Sequence, residues 1–217
     1  SRVRGLLSSL LTVAEYSRLL DAGLEGSYSI LEETAYRREI AAIPMTGFDP
    51  AIFEDSVTQS FSHMIETLRA ECPREARPLL KEVSKRFEAT VLKGLLRARD
   101  ADLDPETAIA QLSPTGRFDR EFCFSIYERS PTIEDMIEVL ERTEYGKVLK
   151  GAFPNFEARG TTIPLEIALD RYIYLRIWSA TQPIGGFGQR IARSLIGTEI
   201  DTLNIKNIPR CVSMGLS

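Results

Sequence analysis

The residue types that usually carry enzyme chemistry are sparse in this chain of 217 residues. His63 is its only histidine, so the chain alone cannot supply a histidine pair for a metal ion or a histidine-centred triad. Cys72, Cys123 and Cys211 lie far apart and form no C-x-x-C pair, which argues against a disulfide framework and against a zinc site. We expect His63 to be partly buried on a helix face and the cysteines to fill small spaces in the core.

Two short stretches partly match known ligand-binding loops. Asp100, Asp102 and Asp104 alternate as at the start of a calcium loop, but Pro105 stands where that loop needs glycine. Residues 185–188, Gly-Gly-Phe-Gly, precede a helix and so resemble a phosphate-binding turn, yet no hydrophobic strand and no Lys-Ser/Thr pair accompany them. We therefore expect Asp104 to cap a helix and residues 185–188 to form a turn between two packed helices. No cofactor and no metal ion are predicted.

Carboxylate pairs are the remaining candidates for catalysis. Glu32-Glu33 and Glu54-Asp55 would serve acid–base chemistry only if one carboxyl of a pair had a raised pKa. Both pairs fall in amphipathic segments, whose solvated faces are normally charged. The net charge of −4 and the lack of a long Lys/Arg run argue against a nucleic-acid partner. An enzyme whose site is assembled from scattered carboxylates stays open as an alternative.

The elements that would have to position any site are helices. Apolar residues recur at gaps of three and four, and start signals precede several of these segments, at Asp49-Pro50, Asp104-Pro105 and Ser130-Pro131. The composition, 43% hydrophobic and 27% charged, is that of a globular protein. We predict an all-α fold with loops near residues 43–50, 71–76, 112–118, 153–164 and 182–187. The apolar runs are Val57, Phe61, Met64 or Ile65 and Leu68; Leu80, Val83, Phe87 and Val91; Ile133, Met136 or Ile137 and Leu140; and Leu165, Leu169, Tyr172 or Ile173 and Leu175 or Ile177.

The chain contains an internal repeat. The segment from Ile30 to Tyr36, ILEETAY, is similar to the segment from Val139 to Tyr145, VLERTEY, at an offset of 109 residues. Further on, Phe87-Glu88 and Arg97 have counterparts in Ile200-Asp201 and Arg210 at an offset of 113. Two matches in the same order predict a duplicated helical unit of about 110 residues, each copy with its own small core. We place the first unit at residues 1–112 and the second at residues 113–217.

A series of short phrases resembles the C subunits of A/V-type ATP synthases, the relatives of the V-type d subunit. Each phrase is weakly specific, but together they keep the family's order along the whole chain. They are Arg2-Val3-Arg4-Gly5 with Leu6 to Leu11, Thr34-Ala35-Tyr36, Leu95-Leu96-Arg97-Ala98-Arg99, Leu112-Ser113-Pro114-Thr115-Gly116, and Glu199-Ile200-Asp201 with Asn204, Ile205 and Arg210.

The chain also departs from the family pattern. Glu88 and Val91 replace the expected Asp and Asn, and Pro209 lies inside the second signature helix, which it is expected to kink or end. Members of the family carry three repeats in a funnel-shaped body, so the resemblance implies that this chain is a fragment without the third repeat.

The resemblance implies a mechanical function. It implies a non-catalytic central-stalk adaptor that links the rotor-ring proteolipid subunits to the central-stalk subunits, and so couples ATP synthesis or hydrolysis to proton or sodium transport. The expected location is cytoplasmic, peripheral at the inner face of the membrane and without a membrane span. A helical interaction scaffold unrelated to rotary ATPases is the alternative. The candidate structural or interface residues are Arg2, Arg4, Arg97, Asp201, Asn204 and Arg210.

Overall fold

A computed structural model describes residues 10–41, 43 and 50–213 of the chain. Within these residues the fold is all-α, as predicted, with ten α-helices and three short 3-10 helices. The α-helices are α1 (Val13–Glu32), α2 (Arg37–Ile40), α3 (Pro50–Glu71), α4 (Arg77–Asp100), α5 (Pro105–Ala110), α6 (Arg120–Glu128), α7 (Ile133–Val139), α8 (Glu144–Arg159), α9 (Ile163–Ser179) and α10 (Gly186–Ser213). The 3-10 helices are Arg74–Ala76, Leu140–Arg142 and Gln182–Ile184.

Capping side chains fix several helix starts. The Thr12 hydroxyl and the Glu15 carboxylate form a capping box at the start of α1. Asp104 accepts a hydrogen bond from the Thr107 N–H at 2.9 Å, which confirms its prediction as a cap before Pro105. Asp119 caps α6 in the same way, by accepting from the Phe122 N–H at 2.8 Å.

Three sequence-based boundaries were wrong. Helix α7 begins at Ile133 with Thr132 hydrogen-bonded to Asp135, so Ser130 is not its cap and lies buried instead. The predicted loop at 153–164 is mostly helix, because α8 continues through Pro154 to Arg159. Helix α10 likewise continues past Pro209 to Ser213, so Pro209 does not end it, and the kink expected there stays a prediction. Both prolines lie within helices despite the backbone N–H that they lack. Of the predicted loop at 43–50, residues 44–49 lie outside the described residues.

The chain divides into two compact units that interleave along the sequence. The first unit comprises Ser1–Leu68 and Thr90–Met136, and the second comprises Arg69–Ala89 and Ile137–Ser217. Helix α4 therefore contributes residues to both. The boundary predicted at residue 112 separates the two copies of the sequence repeat. It stays a prediction about that repeat and does not describe the two compact units.

The first unit has a small apolar cluster around the turn after α1. Leu31, Ile40 and Ile43 are buried there, and Leu11, Leu19, Tyr28, Tyr36 and Phe53 pack against them. Elsewhere in this unit the Arg99 guanidinium lies 3.7 Å from the centre of the Tyr127 ring and donates to the Tyr127 carbonyl. The Tyr127 hydroxyl in turn donates to the Leu103 carbonyl at 2.7 Å. These contacts fix α6 against the end of α4.

The second unit is built on the packing of α9 against α8 and α10. Leu165, Leu169, Ile173 and Ile177 lie one turn apart along α9 and are buried, which confirms this part of the predicted apolar stripe. The alternative candidate Leu175 is 57% exposed. Tyr145 of α8 is fully buried, and its ring contacts the Tyr172 ring edge-on with centroids 6.2 Å apart.

The two similar phrases of the sequence adopt the same local structure. The Thr34 hydroxyl donates to the Leu31 carbonyl at 2.6 Å and accepts from the Tyr36 N–H at 3.2 Å. The Thr143 hydroxyl donates to the Leu140 carbonyl at 2.7 Å and accepts from the Tyr145 N–H at 3.2 Å. In both phrases, the threonine lies between the end of one helical segment and the start of the next. We call this the Thr-x-Tyr turn; it agrees with a duplication, which stays a prediction.

Candidate interaction surface

The buried face of α4 carries charges that the sequence did not reveal. The predicted stripe was Leu80, Val83, Phe87 and Val91, of which only Val91 is buried. Glu82 and Lys85 are buried instead, one turn apart on a face that continues through Ala89, Leu92 and Leu96. The helical period of α4 was predicted correctly, but the wrong face was predicted to be buried. The reason is that a charged residue is assigned to the exposed face unless its partner is known.

Glu82 and Lys85 are buried because two other helices supply opposite charges. The Arg176 guanidinium of α9 donates to both oxygens of Glu82, with Nη2–Oε1 at 2.8 Å and Nε–Oε2 at 3.2 Å. The Lys85 ammonium lies 3.4 Å from Oε2 of Glu82 and 2.8 Å from Oε1 of Glu144 on α8. We call these four residues the ionic cluster. It joins α4, α8 and α9 within the second unit.

The pKa shifts in the ionic cluster favour the charged forms. Burial alone raises the pKa of Glu82, but the hydrogen bonds from Arg176 and the charges of Lys85 and Arg176 outweigh it, so that pKa is lowered overall. Burial alone lowers the pKa of Lys85, and the bonds to Glu144 and Glu82 reverse this, so that pKa is raised. General acid–base catalysis at neutral pH needs the opposite shifts, towards 7. These groups therefore suit bracing of helices better than proton transfer.

A second set of contacts ties α4 to α9 and α10. Glu199 of α10 accepts from Arg86 at 2.7 Å and from the Tyr174 hydroxyl at 3.0 Å. Burial, reinforced by the carboxylate of Glu199, raises the pKa of Tyr174 to about 12, so its hydroxyl stays a donor. Glu88 follows Arg86 by two residues on α4, and its Oε2 accepts a hydrogen bond from the Tyr145 hydroxyl of α8 at 2.7 Å. Glu88 thus binds the tyrosine of the second Thr-x-Tyr turn.

The connection from α9 to α10 is held by its own contacts. Gly185 and Gly186 have φ of 65° and 51°, a conformation that glycine adopts without strain, so this turn needs glycines. The buried Thr181 hydroxyl donates to the Trp178 carbonyl and accepts from Nε of Arg193 at 3.2 Å. The Arg193 guanidinium also lies 5.1 Å from the centre of the Trp178 ring. The predicted turn between two packed helices is therefore present at Gly185, although residues 186–188 already belong to α10.

An open groove of about 610 Å³ runs along α9 and α10. Tyr174 and Trp178 line it from α9, and Ile200, Asp201 and Asn204 line it from α10. Asp201 and Asn204 were both predicted as site residues from the sequence, and the structure places them one turn apart on the exposed side of α10. Because Asp201 lies in the middle of α10, it does not cap that helix. Its role in bracing or in an interface stays a prediction.

Next to the groove, α10 exposes an apolar stripe. Ile205, Ile208 and Val212 are 67%, 59% and 73% exposed and follow Asp201 at helical spacing. We call Asp201, Ile205, Ile208 and Val212 the α10 stripe. Large aliphatic side chains in a row on one helix face are typical of a surface that another helix covers.

Of the other predicted site residues, only Arg97 has a described side chain. Arg97 lies exposed in the last turn of α4. Arg2 and Arg4 lie outside the described residues, as does the side chain of Arg210, whose backbone is part of α10. His63, expected to be partly buried, is exposed on α3.

Sequence reasoning missed the ionic cluster, although one signal was present. Glu82 and Lys85 are three residues apart, as paired charges on a helix often are. Their partners Glu144 and Arg176 are far away in the sequence, so only the fold brings them together.

No helix among the described residues is long and apolar enough to cross a membrane. In the same part of the chain, no group of three or more histidine, cysteine, aspartate or glutamate side chains could hold a metal ion.

Comparison with known proteins identifies relatives along the whole chain. The sequence model of the family described as ATP synthase (C/AC39) subunit matches residues 1–217. The C subunit of the A-type ATP synthase of Methanocaldococcus jannaschii is 29% identical over 218 residues, which cover 100% of this chain and 54% of that protein. Its counterpart in Halorubrum lacusprofundi is 26% identical over 219 residues, 99% of this chain and 61% of that protein. The chain thus spans about half to three-fifths of the length of these relatives.

Proposed function

The chain belongs to the ATP synthase (C/AC39) subunit family, and on that basis we propose that it is part of the non-catalytic central-stalk adaptor of a rotary A/V-type ATP synthase. The observation that carries the proposal is the family match over the entire chain. In the proposed role the polypeptide links the membrane rotor ring to the central stalk, and it couples ATP synthesis or hydrolysis to proton or sodium transport. It acts at the cytoplasmic face of the membrane and is held there by its partners.

The helical packing supports a role in transmitting force. An adaptor between two rotating parts has to resist torsion, so its helices need fixed contacts and not only apolar packing. The ionic cluster and the Glu199 contacts tie α4, α8, α9 and α10 together through buried or half-buried charged groups. Such directional contacts hold helices in one register because sliding would leave a buried charge without its partner.

The same contacts argue against catalysis in this part of the polypeptide. The buried carboxylate and ammonium groups of the ionic cluster are held in their charged forms. The titratable groups in the groove include Asp201, which is exposed, and Tyr174, which is partly buried. A pKa of about 12 keeps the Tyr174 hydroxyl protonated at neutral pH. Neither the Glu82 and Lys85 groups nor the Tyr174 hydroxyl is poised to exchange a proton near pH 7.

Reconstitution of coupling tests the proposal. Membranes that lack this protein are expected to hydrolyse ATP without pumping ions once the soluble ATPase head is added. Adding the complete polypeptide should restore ATP-driven ion uptake into inverted vesicles, and rotor-ring and central-stalk subunits should co-purify with it after a salt wash. The Gly151→Ala variant, which changes an exposed position on α8 with open space around it, serves as a folded control and should restore uptake equally.

A different result would favour the alternative, a helical scaffold that acts outside the rotary machine. This would be the case if ion uptake were complete without the polypeptide, or if neither rotor-ring nor central-stalk subunits were recovered with it. The proposal would then be wrong even though the fold and the family assignment stand.

A further inference from the structure

Helix α1 is bent back on itself at a single residue. Gly23 has φ of 64° and ψ of −172°, which interrupts the helix at that point. Across the bend, the Ser27 hydroxyl lies 3.5 Å from the Leu19 carbonyl oxygen, and the Arg18 guanidinium lies 3.3 Å from the Glu33 carboxylate. In a straight helix the backbone of residues 18 and 33 would be about 22 Å apart. The two halves of α1 therefore contact each other.

The half before the bend covers the small apolar cluster that follows α1. We call residues 11–22 the strap. Leu11 and Leu19 of the strap pack against this cluster. The ion pair between Arg18 and Glu33 contributes little, because its side chains are 56% and 67% exposed. The apolar cover that the strap provides thus consists of two leucine side chains.

Two glycines make the bend possible. The backbone conformation of Gly23, with positive φ and extended ψ, is one that essentially only glycine adopts. A Cβ added at Gly26 would lie 2.8 Å from the Cβ of Ala22, which is too close. In a straight helix the same two Cβ atoms would be about 5–6 Å apart. The bent form therefore requires glycine at both positions, and a straight helix requires it at neither.

The sequence of α1 also fits one continuous helix. Val13, Tyr16 and Leu20 are 83%, 56% and 85% exposed and follow one another at gaps of three and four. The buried Leu31 lies eleven residues after Leu20, which is about three helical turns, so in a straight helix it would share their face. Straightening would also pair backbone N–H and C=O groups that a helix end leaves without helical partners.

We propose that Gly23 is a hinge at which the strap exchanges between this folded-back form and one continuous helix from Val13 to Glu32. Burial of Leu11 and Leu19 favours the folded-back form, whereas the additional helical hydrogen bonds favour the continuous form. Because these contributions are few and opposed, the two forms are close in stability. Opening of the strap uncovers the apolar cluster. The inference concerns the first unit alone and does not rest on the adaptor role.

Zero-length crosslinking of the complete encoded polypeptide tests the hinge. Arg18→Lys keeps the charge and supplies an amine, which a carbodiimide joins to the Glu33 carboxylate only where the two groups are in contact. We expect Gly23→Ala in this background to lower the crosslink yield at least about tenfold, because alanine disfavours the bend and favours the helix. Gly151→Ala, in open space on α8, is the matched control and should leave the yield unchanged. Mass spectrometry of the joined peptides measures the yield.

Urea unfolding and circular dichroism of the same variants distinguish a hinge from a rigid bend. With a hinge, Gly23→Ala stays folded and keeps at least the helix content of the parent, since the strap adopts the continuous form. Gly26→Ala should act in the same direction, because the bent form excludes its Cβ as well. A crosslink yield that stays high while the unfolding midpoint falls would mean that the bend is the only form of α1, and would overturn the proposal.

A distance measurement with both glycines in place tests the exchange without depending on the glycine variants. Spin labels are attached through Ala14→Cys and Glu32→Cys, both exposed positions, in a polypeptide whose native cysteines are replaced by alanine. We expect two populations in pulsed electron paramagnetic resonance. One has the separation of about 27 Å that a continuous helix gives to these backbone positions, and the other is clearly shorter. A single short distance would refute the hinge.

Discussion

At the scale of single residues, Tyr145 makes the most informative contact of the second unit. It is fully buried, yet its hydroxyl reaches Oε2 of Glu88 at 2.7 Å. A buried hydroxyl that donates to a carboxylate contributes more to stability than a bond between neutral groups, because the acceptor is charged. The contact also links α8 to α4 at the turn where the repeat of the sequence restarts.

We predict that Tyr145→Phe destabilises the second unit by about 1.5–3 kcal/mol, since it leaves Glu88 without this donor. The change keeps the ring and therefore the apolar packing. Urea unfolding followed by the fluorescence of Trp178, the single tryptophan, measures the effect. Tyr16→Phe is the matched control because Tyr16 is 56% exposed, and it should leave the unfolding midpoint unchanged. Equal midpoints for Tyr145→Phe and the wild type would refute the contribution of the Glu88 bond.

Cys123 is a second residue whose behaviour follows from its surroundings. Burial, reinforced by the nearby charge of Asp119, raises the pKa of its thiol to about 12. Because the thiolate is the reactive form, we predict that iodoacetamide alkylates Cys123 in the folded protein at pH 8 roughly a thousandfold more slowly than a free cysteine. Mass spectrometry of the Cys123 peptide reports the rate, and unfolding in urea should restore normal reactivity. Rapid labelling of the folded protein would mean that Cys123 is accessible.

At the scale of elements, the start of α8 is constrained by close packing. A side chain at Gly146 would meet the backbone of Leu140 and Glu141, which the 3-10 turn before α8 holds in place. Gly151, further along α8, has open space around it. The same substitution should therefore have opposite effects at two positions of one helix.

We predict that Gly146→Ala destabilises the second unit by about 1–3 kcal/mol, the usual cost of forcing an extra group into a packed site. Gly151→Ala should stabilise it by about 0.5–1 kcal/mol, because alanine favours helix more than glycine does. Urea unfolding followed by Trp178 fluorescence compares the two. If both variants shifted the midpoint in the same direction, the close approach at Gly146 would not be a real constraint.

At the scale of the whole molecule, the buried ion pairs determine how the free energy of unfolding changes with pH. The lowered pKa of Glu82 means that its contribution to stability is present above its unfolded pKa, near the ordinary value of 4.5, and is lost as the pH falls through its folded pKa. The raised pKa of Lys85 means that its contribution is present below 10.5 and is lost as the pH rises through its folded pKa.

We predict that Glu82→Gln lowers the unfolding free energy by about 2–3 kcal/mol at pH 7, because Arg176 and Lys85 then lose a charged partner. The difference from the wild type should shrink as the pH falls from 4.5 towards the lower folded pKa of Glu82, where the carboxylate of the folded wild type also becomes protonated. Glu141→Gln breaks the exposed pair with Lys150 and should cost less than about 1 kcal/mol. Unfolding curves at several pH values provide the measurement, and a Glu82 effect that does not change with pH would contradict the argument.

The class of the fold and the family could both be predicted from the order of the amino acids. Helical periodicity placed most of the elements, and Asp104 caps α5 as expected because capping depends on neighbouring residues. Of the turn predicted at residues 185–188, only Gly185 lies outside a helix, since α10 begins at Gly186. The short phrases typical of the family could also be recognised, because each is formed by residues close together in the sequence. The duplication stays a prediction, although the equivalent hydrogen bonds of Thr34 and Thr143 agree with it.

The buried face of each helix and the pairing of its charges could be read only from the packing of the helices. The face of α4 with Glu82 and Lys85 looked solvated in the sequence, and it is buried because Glu144 and Arg176 reach it from other helices. The structure also corrected the start of α7 and showed that α8 continues through Pro154. Burial of a charge depends on groups far away in the chain, and a local pattern contains no information about them.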